Sequence, residues 1–145
     1  KITDMQAACG LGQLNKLERF IKKRQDNFLF LKKNLEDLQE HILLPESEIN
    51  SKPSWFGFTI SIKKRSKIKR RDVIRKLTEN KIGTRLLFAG NLTKQPAYLN
   101  KKFKISGNLK NTDFIMENTF WVGLHPALGE EELTFVTQTI QDSFR

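Results

Sequence analysis

Arg85 heads the stretch best suited to chemistry in this sequence, Ile82-Gly83-Thr84-Arg85-Leu86-Leu87-Phe88-Ala89-Gly90-Asn91-Leu92, which continues as Thr93-Lys94-Gln95-Pro96-Ala97-Tyr98. A strand that ends in Gly-Asn and runs into a polar loop closed by Pro and Tyr presents side chains into a cleft. The planar fork of Arg85 can hold a phosphate or carboxylate at two points, and Phe88 or Tyr98 can stack on a flat ring. An ordinary surface loop with Arg85 in a salt bridge fits the same residues. A second place is Thr119-Phe120-Trp121-Val122-Gly123-Leu124-His125-Pro126, where a lone His follows a strand and is fixed by the proline. His125 has a side chain able to transfer a proton near neutrality, or to act as a structural hydrogen bonder. His41, at the end of a long helical pattern, reads as a partner for the helix C-terminal dipole. Metal-ligand spacing, a Gly-rich phosphate loop and a Ser/His/Asp arrangement are all missing. On residue types alone, the chain carries half of an active site.

The elements that must hold these residues follow from spacing. Thr3-Asp4-Met5-Gln6 has the reciprocal capping pattern that opens a helix. Apolar residues then recur three or four apart from Met5 to Leu38, which predicts one helix over about 3 to 39, roughly 55 Å long at 1.5 Å per residue. Such a helix outreaches a small domain. Gly10 and Gly12 weaken it, either to let another segment approach closely or as tolerated positions. Ile42 to Leu44 reads as a brief strand, and Trp55 to Ile62 as a longer one. Asp72 is placed to cap a helix running to about Asn80. Ile82 to Phe88 reads as a strand, Gly90 to Ser106 as an irregular loop, and Asn111 to Asn118 as a short helix. A strand at Phe120 to Leu124 and a helix at Glu130 to Phe144 complete an α+β sandwich packed on the long helix.

With 145 residues and 38% apolar content, the chain supports one domain with a core. No apolar run approaches the roughly 18 residues of a membrane span. A single cysteine, Cys9, excludes an internal disulfide and suits a reducing, cytoplasmic setting. The net charge of +10 raises an anionic partner. Much of it lies in Lys63, Lys64, Arg65, Lys67, Lys69, Arg70 and Arg71, which reads as a solvated loop because like charges avoid packed cores. No aromatic residues interleave with it as in a base-stacking platform, so a nucleic-acid-binding module rests on charge alone. The opening at Lys1, directly into a helix signal, suggests a piece of a longer protein.

Thr3-Asp4-Met5-Gln6-Ala7-Ala8 with Gly10-Leu11-Gly12-Gln13-Leu14 resembles the helix that opens the carboxy-terminal part of sugar aminotransferases and dehydrases of aminotransferase fold type I. Ile82 through Tyr98 is similar to the C-3 dehydrase branch, typified by CDP-4-keto-6-deoxyglucose-3-dehydrase. Asn111-Thr112-Asp113, Thr119-Phe120-Trp121 and His125-Pro126 continue the resemblance to the end of the chain. One departure is Gly129, where a Thr or similar cap is expected before the acidic triplet.

The resemblance implies a small carboxy-terminal domain of a homodimeric enzyme whose cofactor domain precedes Lys1, with 1 to 39 as the interdomain helix. It implies pyridoxamine or pyridoxal phosphate as cofactor, and removal of the C-3 hydroxyl from a nucleotide-linked 4-keto-6-deoxy sugar in lipopolysaccharide synthesis. In that branch the usual cofactor lysine is replaced by histidine. Some members add a [2Fe-2S] cluster, and a reductase partner would accompany it. These groups, and the catalytic residues, would lie before Lys1. Lys1 itself falls where relatives carry a basic residue near the cofactor phosphate. Arg85, Phe88, Asn91, Gln95 and His125 become the expected substrate-binding residues, Asn91 because an amide both donates to and accepts from sugar hydroxyls. An aminotransferase of the same superfamily is the alternative.

Overall fold

Phe58, Ile60 and Ile62 alternate with Gly57, Thr59 and Ser61, and that period of two decides which face of the sheet becomes the core. In the computed structural model, which describes residues 1–145, these residues form strand β2 (Gly57–Ile62). Strand β1 is Ile42–Leu43, β3 Thr84–Leu86 and β4 Thr119–Gly123. The sheet order is β1-β2-β4-β3 and every pairing is antiparallel. β3 is therefore an edge strand whose only partner is β4.

Helices α2 (Leu17–Asn34), α3 (Arg70–Glu79) and α5 (Glu130–Gln141) contribute to the buried face with Phe28, Leu31, Val73, Leu77, Leu133 and Ile140. These join Phe58, Ile60, Phe120 and Val122 from the sheet in one cluster. Burying each such side chain contributes about 1.5–3 kcal/mol. Trp55, just before β2, stacks on Phe28 with ring centroids 4.1 Å apart. The remaining helices are α1 (Asp4–Leu14) and α4 (Lys110–Asn118), the latter running directly into β4.

The expected single helix over 3 to 39 is broken. α1 keeps the predicted capping box at Thr3 and Gln6, but the chain turns at Asn15 and Lys16, where Lys16 N–H donates to Gln13 three residues back. Nothing clamps α1 in line with α2, since none of its residues is buried, and Asn is a poor helix former. A final 3-10 turn, Glu36–Leu38, replaces the last helical residues.

Asp72 is not the cap of α3. The helix begins two residues earlier, after Lys69, and Asp72 lies in its first turn, where its carboxylate meets Arg75 and Arg71 at 3.4 and 3.7 Å. At the start of α5, Gly129 cannot offer a capping side chain, yet Glu132 accepts the Gly129 N–H at 2.8 Å, so half of the reciprocal cap survives. The basic run is also more than a solvated loop. Lys63 and Arg65 donate to the carbonyls of Gln39 and Glu40, while Arg70 donates to Met116 and Thr119 carbonyls at the end of α4. His41 follows the 3-10 turn and stacks on Phe144 with centroids 5.6 Å apart.

Candidate substrate site

β3 carries Arg85 directly opposite Trp121 of β4, so both belong to the face of the sheet away from the core. Trp121 lies flat on β2 there: a Cβ at Gly57 would come within 2.4 Å of its ring, which is why glycine is required. Phe56 packs against the same indole at 5.3 Å. Arg85 is exposed, and its hydrogen bond goes to the carbonyl of its neighbour Thr84 at 2.8 Å. No carboxylate pairs with it, so the salt-bridge reading of Arg85 finds no support.

Past Leu86 the chain turns sharply. Phe88 donates its N–H back to Leu86 at 2.8 Å with φ of 51°, a left-handed conformation that an aromatic residue rarely adopts. That turn ends β3 before the predicted Phe88 boundary and leaves the Phe88 ring 86% exposed. Gly90 follows at φ of 64°, close against Met116 of α4.

Asn91 anchors the loop. It is 3% exposed, its amide donates to Asp113 at 2.7 Å, and its carbonyl oxygen accepts from the Thr93 N–H at 3.0 Å and hydroxyl at 2.7 Å. This Asx arrangement starts the 3-10 turn Leu92–Lys94. Lys94 closes on the same Asp113 carboxylate at 2.9 Å. The Asn91 hydrogen bond, with help from Lys94, holds the Asp113 carboxyl below its ordinary pKa. Gln95 donates to the Ala89 carbonyl at 2.6 Å and so ties the neck of the loop. Asn91 therefore spends its side-chain polar atoms within the chain and Gln95 its amide N–H, whereas Arg85 and Phe88 are exposed.

His125 lies elsewhere. β3 runs antiparallel to β4, so the loop leaves beside Phe120, and His125 follows the opposite end of β4, roughly 16 Å along the strand. Its Nδ1 accepts the Ala127 N–H at 3.1 Å, and its carbonyl accepts from buried Asn27 at 3.1 Å. That geometry supports the structural role for His125. Lys1 is exposed at the head of α1. Thr93 and Lys94 lie in the stretch singled out from the sequence and Asp113 in a motif of the resemblance, yet none of the three was given a role there, although the Asn-x-Thr spacing is itself a turn signal.

The sequence model of the DegT/DnrJ/EryC1/StrS aminotransferase family matches residues 1–141. The chain belongs to this family. Within it, the chain is 49% identical over 144 residues to the lipopolysaccharide biosynthesis protein RfbH of Salmonella typhimurium, covering 99% of this chain and 33% of that protein. It is 38% identical over 142 residues to dTDP-4-dehydro-2,6-dideoxy-D-glucose 3-dehydratase of Saccharopolyspora spinosa, covering 98% of this chain and 30% of the relative. Among solved structures, E. coli GDP-4-keto-6-deoxy-D-mannose-3-dehydratase with bound hydrated PLP superposes with a TM-score of 0.84 at 27% identity, over 94% of this chain and 34% of that one. The chain thus spans about a third of the length of these relatives, and its α+β fold is that of a portion of fold type I enzymes.

For the cofactor that the family implies, this chain offers little of its own. Its one candidate, Lys1, is exposed before α1, whose exposed Met5 and Leu11 form no polar cradle.

Proposed function

We propose that this chain is the carboxy-terminal part of a pyridoxamine-phosphate-dependent nucleotide-sugar C-3 dehydrase acting in lipopolysaccharide deoxysugar synthesis. The observation that carries the reading is identity of 49% and 38%, over almost the whole chain, to a lipopolysaccharide biosynthesis protein and to a sugar 3-dehydratase. The substrate is a nucleotide-linked 4-keto-6-deoxy sugar. Bound pyridoxamine phosphate supplies the amine that attaches at the C-4 ketone and the acidic C–H whose loss expels the C-3 oxygen. This chain's own part is to bind and orient. Arg85 brings an unpaired guanidinium to the substrate's phosphates, Phe88 offers a face for stacking, and the loop pinned by Asn91 and Asp113 keeps both in place. Lys1 assists the cofactor phosphate.

α1 and the start of α2 carry the exposed residues Met5, Leu11, Leu14 and Leu17, 47–80% accessible, so this helix is an interface with the preceding cofactor domain or the second subunit of a homodimer. The 145-residue chain by itself then neither binds pyridoxamine phosphate tightly nor turns over sugar nucleotide, and micromolar cofactor affinity for the isolated chain would contradict this. No helix of the chain is long and apolar enough to cross a membrane. A cytoplasmic location is part of this proposal. A [2Fe-2S] cluster and a reductase partner belong to the same reading.

The family also contains aminotransferases, which is the second reading. The test is incubation of the full-length enzyme with pyridoxamine phosphate and CDP-, GDP- or dTDP-linked 4-keto-6-deoxy sugars, followed by mass spectrometry. Loss of the C-3 oxygen is expected. Conversion of the C-4 ketone to an amine, with C-3 oxygen retained, would establish the aminotransferase instead.

A further inference from the structure

A shallow hollow of about 550 Å³ lies between the first turns of α3 and the edge strand β3, and four arginines line it: Arg70, Arg71, Arg75 and Arg85. No carboxylate is among its lining residues. Arg71 and Arg75 stand four apart, on one face of α3, and share the single carboxylate of Asp72. Arg70 is committed to the carbonyls of Met116 and Thr119 and has Glu117 as its acidic neighbour. Arg85 has no acidic partner. Four guanidiniums against the carboxylates of Asp72 and Glu117 leave two positive charges around one concavity. Partial burial pushes the Arg70 guanidinium below its ordinary pKa, while Arg71, Arg75 and Arg85 stay exposed and open to a ligand.

We propose that Arg71, Arg75 and Arg85 form a clamp for the diphosphate bridge of a nucleotide-linked ligand. An esterified diphosphate carries two negative charges and several acceptor oxygens, which suits planar forks that bind at two points each. Position agrees with charge. The hollow extends along β3 to Leu86, the last residue before the loop that carries the exposed Phe88. The loop's role at the substrate is the one argued above, and the inference rests on that reading; Arg71 and Arg75 are new to it, Arg71 being one of seven cations of the basic run and Arg75 lying beyond that run.

The test uses the full-length enzyme and calorimetric titration with CDP, GDP and dTDP near physiological salt. Arg71→Gln/Arg75→Gln is compared with Lys64→Gln/Lys67→Gln, which removes the same charge from exposed positions that do not line the hollow. Both pairs are exposed, so thermal midpoints are expected to match wild type. The arginine pair should weaken the best nucleoside diphosphate at least tenfold, and the lysine pair less than twofold. Equal losses in both would make the effect a general surface field and overturn the clamp, as would no loss in the arginine pair or no diphosphate binding by wild type. Binding is read without turnover, so the two readings can fail separately. Selective loss in an enzyme that does not dehydrate sugars leaves the clamp and removes the reaction. Dehydration with unchanged KM in the arginine pair leaves the reaction and removes the clamp.

Discussion

Replacing Asn91 and Arg85 by alanine, one at a time, separates anchoring from binding within one loop. Asn91 is 3% exposed and makes three hydrogen bonds of 3.0 Å or less, while Arg85 is exposed and bonds only its neighbour's carbonyl. At about 1 kcal/mol net per hydrogen bond, Asn91→Ala should cost roughly 2–3 kcal/mol of local stability. In a unit of this size each kcal/mol moves the midpoint by about 2–4 °C, so a fall of roughly 5 °C or more is expected if the loop unfolds with the domain. Arg85→Ala should stay within about 0.5 kcal/mol of wild type. Kinetics should divide the other way. Arg85→Ala raises KM with little thermal effect, whereas Asn91→Ala loses activity together with thermal stability or with amide protection in residues 88–95. Thermal denaturation, hydrogen exchange and steady-state kinetics on the full-length enzyme give all the readouts. An Asn91→Ala variant with wild-type stability and protection but depressed kcat/KM would refute the anchor and make Asn91 a substrate ligand. A matching thermal loss in Arg85→Ala would make that arginine structural.

Three further outcomes follow from the packing. Gly90→Ala should destabilise by about 1–3 kcal/mol, because its Cβ would meet Met116 Cγ at 2.3 Å and φ is 64°; Met116→Ala in the same chain should restore part of the midpoint, and a neutral Gly90→Ala would disprove the contact. The Asp113 carboxyl has a lowered folded pKa, so its stabilisation is complete above the unfolded value of about 3.9 and is lost as pH falls through the lower folded value. The protection of the Thr93 amide, relative to its intrinsic exchange rate, should then fall below about pH 4 in wild type but show no such acid step in Asp113→Asn. Met5→Glu with Leu11→Glu should leave the core of the domain intact, since both are exposed, while shifting the full-length enzyme toward smaller species in sedimentation; an unchanged assembly and midpoint would remove α1 from any interface.

Local signals were legible where neighbours along the chain supply the partner. The Thr3–Gln6 box, the alternation of Gly57–Ile62 and the acidic start of α5 each appear in the sequence and in the fold. The loop was legible as a stretch, since Gly90-Asn91 marks the turn that follows β3. Its internal division was not. Asn91 looks like a ligand for sugar hydroxyls until Asp113, 22 positions away, takes its amide.

What the sequence by itself determined is therefore most of the elements, the buried face of β2 and the family, because propensity, period and motif are properties of short stretches. Tertiary structure decided the rest. It broke the long helix at Asn15 because no packing holds α1 in line, turned Lys63, Arg65 and Arg70 to backbone carbonyls, and placed His125 at the far end of β4 from the loop. It also gathered Arg70, Arg71, Arg75 and Arg85 around one hollow. Each of these depends on contacts between residues distant in sequence, whose pairing is fixed only when the sheet and helices close on a common core.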